Sequence, residues 1–177
     1  MGCDIHAFAE TRQPDGSWQK VGEVFPLDNW ASEYHKKSHS DEFYNVRNYG
    51  VFGFLAGVRN YSAIPPLSDP KGLPVDLSPA VREKTEDWDG DGHSWSWLAL
   101  GELTTPDYDA QVWDRRYTRQ EGPNYWNGAA TALETEHELG TRESLRKFLG
   151  EHYFKHLDVL KSLGGPEDVR IVFWFDN

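Results

Sequence analysis

Residues 169–175 read VRIVFWF, an almost continuous run of β-branched and aromatic residues. A run of this length and composition is typical of a strand that is buried on both faces. Such a strand needs a neighbour, and the first residues of the chain are suited to provide one. We therefore expect a central strand near the C-terminal end of the sequence, with the N-terminal segment beside it.

The N-terminal residues 3–10, CDIHAFAE, alternate in a way that predicts a strand with two different faces. Asp4, His6 and Glu10 lie on one face together with Phe8, and small or aliphatic residues lie on the other. If this strand pairs with the C-terminal one, the end of the sheet carries Asp4 and His6 together with Asp176.

Turn and loop signals divide the first half of the sequence. Residues 14–17, PDGS, predict a turn, and residues 18–24 then complete a β-hairpin. Residues 25–41 are polar and aperiodic, which indicates a surface loop. A helix is expected over 47–59, and the proline-rich residues 64–79 are expected to form an ordered irregular loop.

Three helices are expected in the remainder. Ser78 as N-cap and Pro79 at the first position predict a short helix. Residues 94–100, SWSWLAL, are interpreted as the next helix, and Thr141 is expected to cap a long helix over 143–163.

Length and composition predict one α+β domain over 1–177. The fold class is a small central sheet that includes both terminal strands, packed by two to four helices, with long irregular loops. The net charge of −11, from 29 acidic and 18 basic residues, argues against nonspecific nucleic-acid binding and against attachment to anionic membranes. The single cysteine, Cys3, forms no internal disulfide, so we expect a cytoplasmic protein.

Asp4 and His6 are the sharpest chemical signal. Two residues apart on a strand, they lie about 7 Å from each other on one face. This spacing suits two ligands of one metal ion, or a carboxylate that orients a histidine base. A hydrogen-bonded pair that serves only the strand end explains the spacing equally well.

His93 and Ser94 follow the acidic, glycine-rich loop 87–92 and are expected at a helix N-terminus. If His93 approaches Asp4 and His6, the site has two imidazoles and a carboxylate, with Asp89, Asp91 or Asp176 as further ligands. Zinc, manganese or magnesium could bind there and activate water. Without a metal, His6 and His93 would act as general base and acid. A solvated acidic loop is the ordinary alternative.

Arg47 and Arg59 bracket the glycine-bearing helix, and either could bind a phosphate through two N–H groups. Ser94 and Trp97 complete the predicted substrate-binding set. Surface arginines paired with the excess carboxylates are the alternative. His152 and His156 are four residues apart but lack the rest of a zinc-protease motif, so we expect them on a helix surface.

Several motifs together resemble a family of small bacteriophage and prophage proteins that has no established activity: MGCDIH at 1–6, LAGVRN at 55–60, KGLP at 71–74, HSWSWL at 93–98 and FWFDN at 173–177. The resemblance spans nearly the whole chain. It implies a phage or prophage setting, in which accessory proteins act on host nucleic acid, nucleotides or immune signals. The motifs contain Asp4, His6, Arg59, His93, Ser94 and Asp176.

The sequence thus supports two functional hypotheses, and a structural or host-interaction protein, in which the polar cluster serves only the fold, is a third possibility. The first is a small hydrolase, metal-dependent by expectation, that cleaves a phosphodiester in a nucleotide-type substrate; Asp4, His6 and His93 are its predicted catalytic residues, and Asp176 joins them as a metal ligand. The second is a non-catalytic protein that sequesters a small nucleotide signal or inhibits a host protein. A homo-oligomer is compatible with either.

Overall fold

A computed structural model of the chain describes residues 2–88, 90–116 and 140–177. The strands in these ranges are β1 (Asp4–Arg12), β2 (Trp18–Lys20), β3 (Phe25–Pro26), β4 (His39–Ser40), β5 (His93–Ala99), β6 (Gln111–Asp114), β7 (Thr141–Ser144) and β8 (Val169–Asp176). The helices are α1 (Asn29–His35), α2 (Tyr49–Ala56), α3 (Pro79–Glu86), α4 (Leu100–Thr104), α5 (Leu145–Leu149) and α6 (Glu151–Leu163). The predicted α+β class is confirmed.

The chain divides into two compact units. The first comprises Met1–Arg47, Pro70–Thr105 and Phe154–Asn177, and it contains a four-stranded sheet. The second comprises Asn48–Asp69 and Pro106–Tyr153, and it contains α2, α5 and the two-stranded sheet of β6 and β7.

β8 is a central strand of the four-stranded sheet, whose order is β2-β1-β8-β5 with every neighbouring pair antiparallel. Its pairing with β1 runs from Asp4 opposite Asp176 to Thr11 opposite Val169. All of its residues except Asp176 are buried. The predicted central C-terminal strand, the N-terminal strand beside it and the β1–β2 hairpin are therefore confirmed.

One face of this sheet is covered by rings. The register places His6 opposite Trp174 and Phe8 opposite Val172, so these four side chains leave the sheet on the same side. The cluster on this side also includes two aliphatic residues and three more indoles: Leu77, Val81, Trp88, Trp95 and Trp97.

The helix predicted over 94–100 is wrong, because His93–Ala99 is strand β5 and pairs with β8. The segment alternates as a strand does: Ser96 and Leu98 are buried, while Trp95 and Trp97 pack against the indole cluster. Aromatic residues favour the pleated, half-buried surface of a sheet. His93 therefore begins a strand and does not lie at a helix N-terminus.

The helix predicted over 143–163 ends at Leu163 as expected, but its predicted start and its continuity are wrong. Residues 141–144 form β7, and Ser144 caps α5 by accepting a hydrogen bond from the Lys147 amide at 3.3 Å. Gly150 then interrupts the helical run with a φ of 84°, a conformation that favours glycine. The helix resumes at Glu151.

The predicted surface loop over 25–41 contains regular elements instead. β3 and β4 pair with each other, and α1 lies between them, capped by a hydrogen bond from the Ala31 amide to Asp28 at 2.7 Å. No residue of α1 is buried, so the helix has no apolar period that the sequence could have revealed.

His156 contradicts the expectation of a surface residue. It is fully buried, and its ring nitrogens face the backbone oxygens of Phe43 and, at 2.8 Å, Pro26. Burial in these surroundings lowers the pKa of His156, although both carbonyl oxygens oppose this effect. The side chain therefore anchors α6 to β3 and to the segment at Phe43.

A buried ion network lies at the opposite end of the sheet from His6. The Arg170 guanidinium donates to Glu10 and to Asp76, each at 2.7 Å, and Glu10 also accepts from the Ser78 amide at 2.9 Å. Glu10 is 0% exposed and Arg170 is 3% exposed. The network joins β1, β8 and the N-cap of α3, where the predicted cap at Ser78 is confirmed.

We expect Arg170→Met to lower the free energy of unfolding by about 3–5 kcal/mol, because it leaves the Glu10 carboxylate buried without its ionic partner. The double variant Arg170→Met/Glu10→Gln should lose less than the sum of the single losses. Urea unfolding followed by circular dichroism measures these differences. The control Lys161→Ala removes an exposed ion pair and should cost less than about 1 kcal/mol. An Arg170→Met loss no larger than the control's would contradict the assigned role.

Candidate active site

The candidate site lies where β1 begins and β8 ends. Asp176 lies opposite Asp4 in the register, and its Oδ1 accepts a hydrogen bond from the Asp4 amide at 3.0 Å. His6 follows two residues later on the same face as Asp4. The predicted meeting of Asp4, His6 and Asp176 at one end of the sheet is confirmed.

His6 is held between two indole rings. Its ring centroid lies 4.0 Å from that of Trp88 and 5.6 Å from that of Trp174. A carboxylate lies near each ring nitrogen: Nε2 is 3.4 Å from Asp176 Oδ2, and Nδ1 is 3.9 Å from Glu42 Oε1. The side chain is 16% exposed. Two acceptors on opposite sides of the ring suit an imidazolium, which has an N–H at each nitrogen.

Opposing effects set the protonation of His6. Burial lowers the pKa of His6, but hydrogen bonding and charge from Glu42 and Asp176 outweigh burial, and the pKa lies above its ordinary value of 6.5. The proton is therefore retained to a higher pH than on a free histidine. The site thus presents an oriented imidazolium.

Arg47 lies at the edge of the site and binds Asp4 through two N–H groups. Its Nε donates to Asp4 Oδ1 at 2.8 Å, and its Nη2 donates to Asp4 Oδ2 at 2.5 Å. The hydrogen bonds from Arg47 lower the pKa of Asp4. Both side chains are about half exposed. Gly2 lies beside the guanidinium, because a Cβ there would approach Arg47 Nη1 to 2.6 Å.

His93 lies against the other face of β8. Its ring stacks on Phe175 at 6.0 Å, while His6 stacks on Trp174, and consecutive strand residues point to opposite faces. His93 Nδ1 lies 3.0 Å from the hydroxyl of Ser94, which has a φ of 52° at an irregularity in the β5–β8 register. The structure therefore does not place His93 and Ser94 with His6.

Trp97 lines a separate cavity of about 440 Å³ at the ion-network end of the sheet. Lys71 Nζ lies 4.5 Å from the Trp97 ring centroid, and the Arg170 guanidinium lies 4.0 Å from that of Trp18. Arg12 lies over the same Trp18 ring at 5.1 Å. Aromatic rings, cations and the carboxylates of Asp76 and Glu167 line this cavity together.

Arg59, the other predicted phosphate-binding arginine, belongs to the second compact unit. It follows Gly57, which ends α2 in the left-handed conformation, and has a φ of 49° itself. Asp89, a predicted further ligand, lies outside the described residues. Within the ranges that the structure describes, no group of three or more His, Cys, Asp or Glu residues is arranged to hold a metal ion.

Glu42 and Trp88 are site residues that the sequence did not indicate. Glu42 reaches the site because its backbone forms an isolated antiparallel bridge with Phe8 of β1. Trp88 lies in the acidic turn after α3. The sequence of this turn indicates possible carboxylate ligands but gives no sign that its indole contacts His6. The bridge joins Phe8 and Glu42, which are 34 positions apart in the sequence, and no local sequence pattern predicts such a contact.

Comparison of the chain with known protein families, characterised proteins and solved structures finds no match. The resemblance to a phage and prophage family stays a prediction. No helix in the described part of the chain is both long enough and apolar enough to cross a membrane.

We expect an NMR titration to give His6 a pKa above 6.5, and Asp176→Asn to lower it, since the variant removes one carboxylate charge. Because the pKa of His6 is raised by folding, the stability it contributes is fully present below pH 6.5 and is lost as the pH rises through the folded pKa. The gap in free energy of unfolding between wild type and Asp176→Asn should shrink over that range. Asp158→Asn, an exposed control, should leave the titration of His6 unchanged. An unaltered His6 pKa in Asp176→Asn would contradict the assignment.

Proposed function

We propose that the protein is a hydrolase that cleaves a phosphodiester in a nucleotide-type substrate, with His6 as the proton donor. The observation that carries the proposal is the setting of His6, whose ring lies between two indoles and has a carboxylate near each nitrogen. An imidazole held in this way is oriented, and the two carboxylates favour its protonated form. These are the properties that general-acid catalysis requires.

In the proposed reaction, the oxygen of a water molecule forms a bond to phosphorus while the bond from phosphorus to the leaving oxygen breaks. His6 gives its proton to the leaving oxygen, so the product departs as an alcohol. The proton of the attacking water passes to Glu42. Glu42 Oε1 lies 3.9 Å from His6 Nδ1, which is beyond direct hydrogen-bond distance, so a water molecule would have to return that proton to the imidazole between turnovers.

Arg47 has the role of phosphate contact in this proposal. Asp4 holds the guanidinium in place through two hydrogen bonds, which fixes its orientation at the edge of the site. A fixed, planar cation suits the non-bridging oxygens of a phosphodiester. Asp4 thus positions Arg47 and does not itself transfer a proton.

Charge balance supports the metal-dependent form of the hypothesis. Three carboxylates, from Asp4, Glu42 and Asp176, lie near one guanidinium and one imidazolium, so the site is net negative before an anionic substrate enters. Magnesium and manganese are often bound by one or two carboxylates together with substrate phosphates. We infer that a divalent cation would arrive with the substrate and offset this charge.

The sequestering protein remains the second candidate, and the cavity of Trp18 and Trp97 favours it. Arg12, Lys71 and Arg170 place cations against its rings, although Lys71 is also paired with Glu102 and Arg170 with Glu10 and Asp76, so an anionic ligand would compete with these carboxylates. A nucleotide retained through purification and released unchanged on denaturation would support this function over hydrolysis. Either function accords with the phage or prophage setting that the resemblance implies.

The hydrolase proposal is tested with two substrates that differ in their leaving group. Thymidylyl-3′,5′-thymidine has a poor alkoxide leaving group, whereas the p-nitrophenyl ester of thymidine 5′-phosphate has a good one. We expect His6→Gln to lower kcat/KM for the dinucleotide by about 100-fold or more, because its leaving oxygen needs a proton. The kcat/KM for the nitrophenyl ester should fall much less, because its leaving oxygen does not need a proton.

His39→Gln is the matched control, since His39 is an exposed histidine on β4 that the mechanism does not use. It should retain wild-type rates on both substrates. If His6→Gln lowers kcat/KM equally for the two substrates, His6 does not donate a proton to the leaving oxygen. Absence of turnover by the wild type, with and without Mn²⁺ or Mg²⁺, would reject the hydrolase.

The cation is tested separately by elemental analysis and by added Mn²⁺. We expect wild-type protein to retain less than one metal ion per chain after purification, and its rate on the dinucleotide to rise with Mn²⁺. The response should weaken in Asp176→Asn. Stoichiometric metal in wild type that is lost in an Asp4→Ala/His6→Ala variant would instead establish a resident metal site and make His6 a ligand.

A further inference from the structure

Helix α1 presents two exposed aromatic side chains stacked on each other. Trp30 is 71% exposed and Tyr34 is 70% exposed, with ring centroids 5.4 Å apart and planes 10° from parallel. No residue of α1 is buried, so neither ring contributes to a core. Large exposed rings that do not stabilise the fold are a common mark of a binding surface.

A cavity of about 490 Å³ begins at Trp30, and its size is in the range of small-molecule sites. Tyr34 covers one face of the Trp30 ring. The described residues place no ring or cation over the other face. Trp30 therefore offers a flat apolar surface at the wall of the cavity, backed by a second ring.

The same cavity reaches the candidate active site. Its lining also includes Glu42, Asn45 and Arg47. Glu42 is the carboxylate near His6 Nδ1, and Arg47 is the guanidinium bound to Asp4. A ligand whose flat group lies on Trp30 would thus extend its other end toward the groups that act on phosphate.

We propose that this cavity binds the nucleobase of the substrate, stacked on Trp30, with the phosphodiester at Arg47 and His6. The inference rests on the hydrolase function and narrows its substrate to a nucleotide whose base adjoins the reactive phosphate. Stacking supplies affinity without selecting a particular base, since every base has a π-face. The lining includes the Asn45 amide, which can both donate and accept a hydrogen bond, and we assign it the contact with the edge of the base.

Binding is measured first, with thymidine 5′-monophosphate as probe and calorimetry as readout. We expect Trp30→Ala to weaken binding roughly ten-fold or more, and Trp30→Phe to retain most of the affinity, because it keeps a stacking ring. Val75→Ser is the control, as Val75 is a fully exposed apolar residue that does not line this cavity. It should bind like the wild type.

Hydrolysis is then compared on two p-nitrophenyl diesters, that of thymidine 5′-phosphate and that of methyl phosphate. Trp30→Ala should raise KM for the nucleotide ester by a factor similar to its loss of affinity. It should leave the methyl ester, which has no base, unchanged. Comparing the change in KM for the nucleotide ester with that for the methyl ester separates the contribution of the base from that of the phosphodiester.

The outcomes separate this inference from the function on which it rests. The base site is overturned if wild type and Trp30→Ala bind the probe equally. It is also overturned if the wild type cleaves the methyl ester but does not bind the probe. Neither result contradicts the hydrolase function. Trp30-dependent binding without cleavage of any diester supports the base site and rejects the hydrolase. Self-association of the wild type that Trp30→Ala abolishes, with unchanged binding of the probe, assigns Trp30 to an interface and overturns the inference.

Discussion

The ion pair of Glu10 and Arg170 is the constraint on which the arrangement of the sheet depends. The two residues lie opposite each other in the β1–β8 register, six positions along β1 from the pair of Asp4 and Asp176. A shift of one residue would turn Glu10 to the opposite face, among Ala9 and other buried apolar groups. An unpaired carboxylate there would be very costly, so the pair at one end of the ladder fixes which residues meet at the other.

The indole layer between these two ends explains why the carboxylates dominate the protonation of His6. Trp174 is fully buried and stacks on both His6 and Trp95. Such a layer excludes water, which penalises the imidazolium by desolvation. It also reduces the screening of nearby charges, so that Glu42 and Asp176 act more strongly than they would in water. Two anions within 4 Å of the ring outweigh one desolvated cation.

Period-two patterns in the terminal segments predicted the sheet and part of the site. The alternation in β1 placed Asp4 and His6 on one face, and the apolar run in β8 predicted its central position; both follow from strand geometry alone. The β5 segment was misread because serine and tryptophan alternate there without a charged face to mark the solvent side. Glu42 could not be predicted, since it depends on a backbone bridge to Phe8 across an aperiodic segment. Gly150 divides α5 from α6 through a positive φ, whereas glycine within a sequence only weakens a predicted helix.

The residues proposed for catalysis and those proposed for recognition differ in how much the fold depends on them. His6 and Asp176 are largely buried and belong to the ring-covered face of the sheet, so changes to them affect folding as well as chemistry. Trp30 and Arg47 lie mainly in solvent, on α1 and at the edge of the site, where replacement removes little buried surface. Under the proposed function, affinity for a base or a phosphate would therefore change with little loss of stability, while the proposed proton-transfer residues stay tied to the fold. If the proposed function holds, the ligand can vary more readily than the reaction.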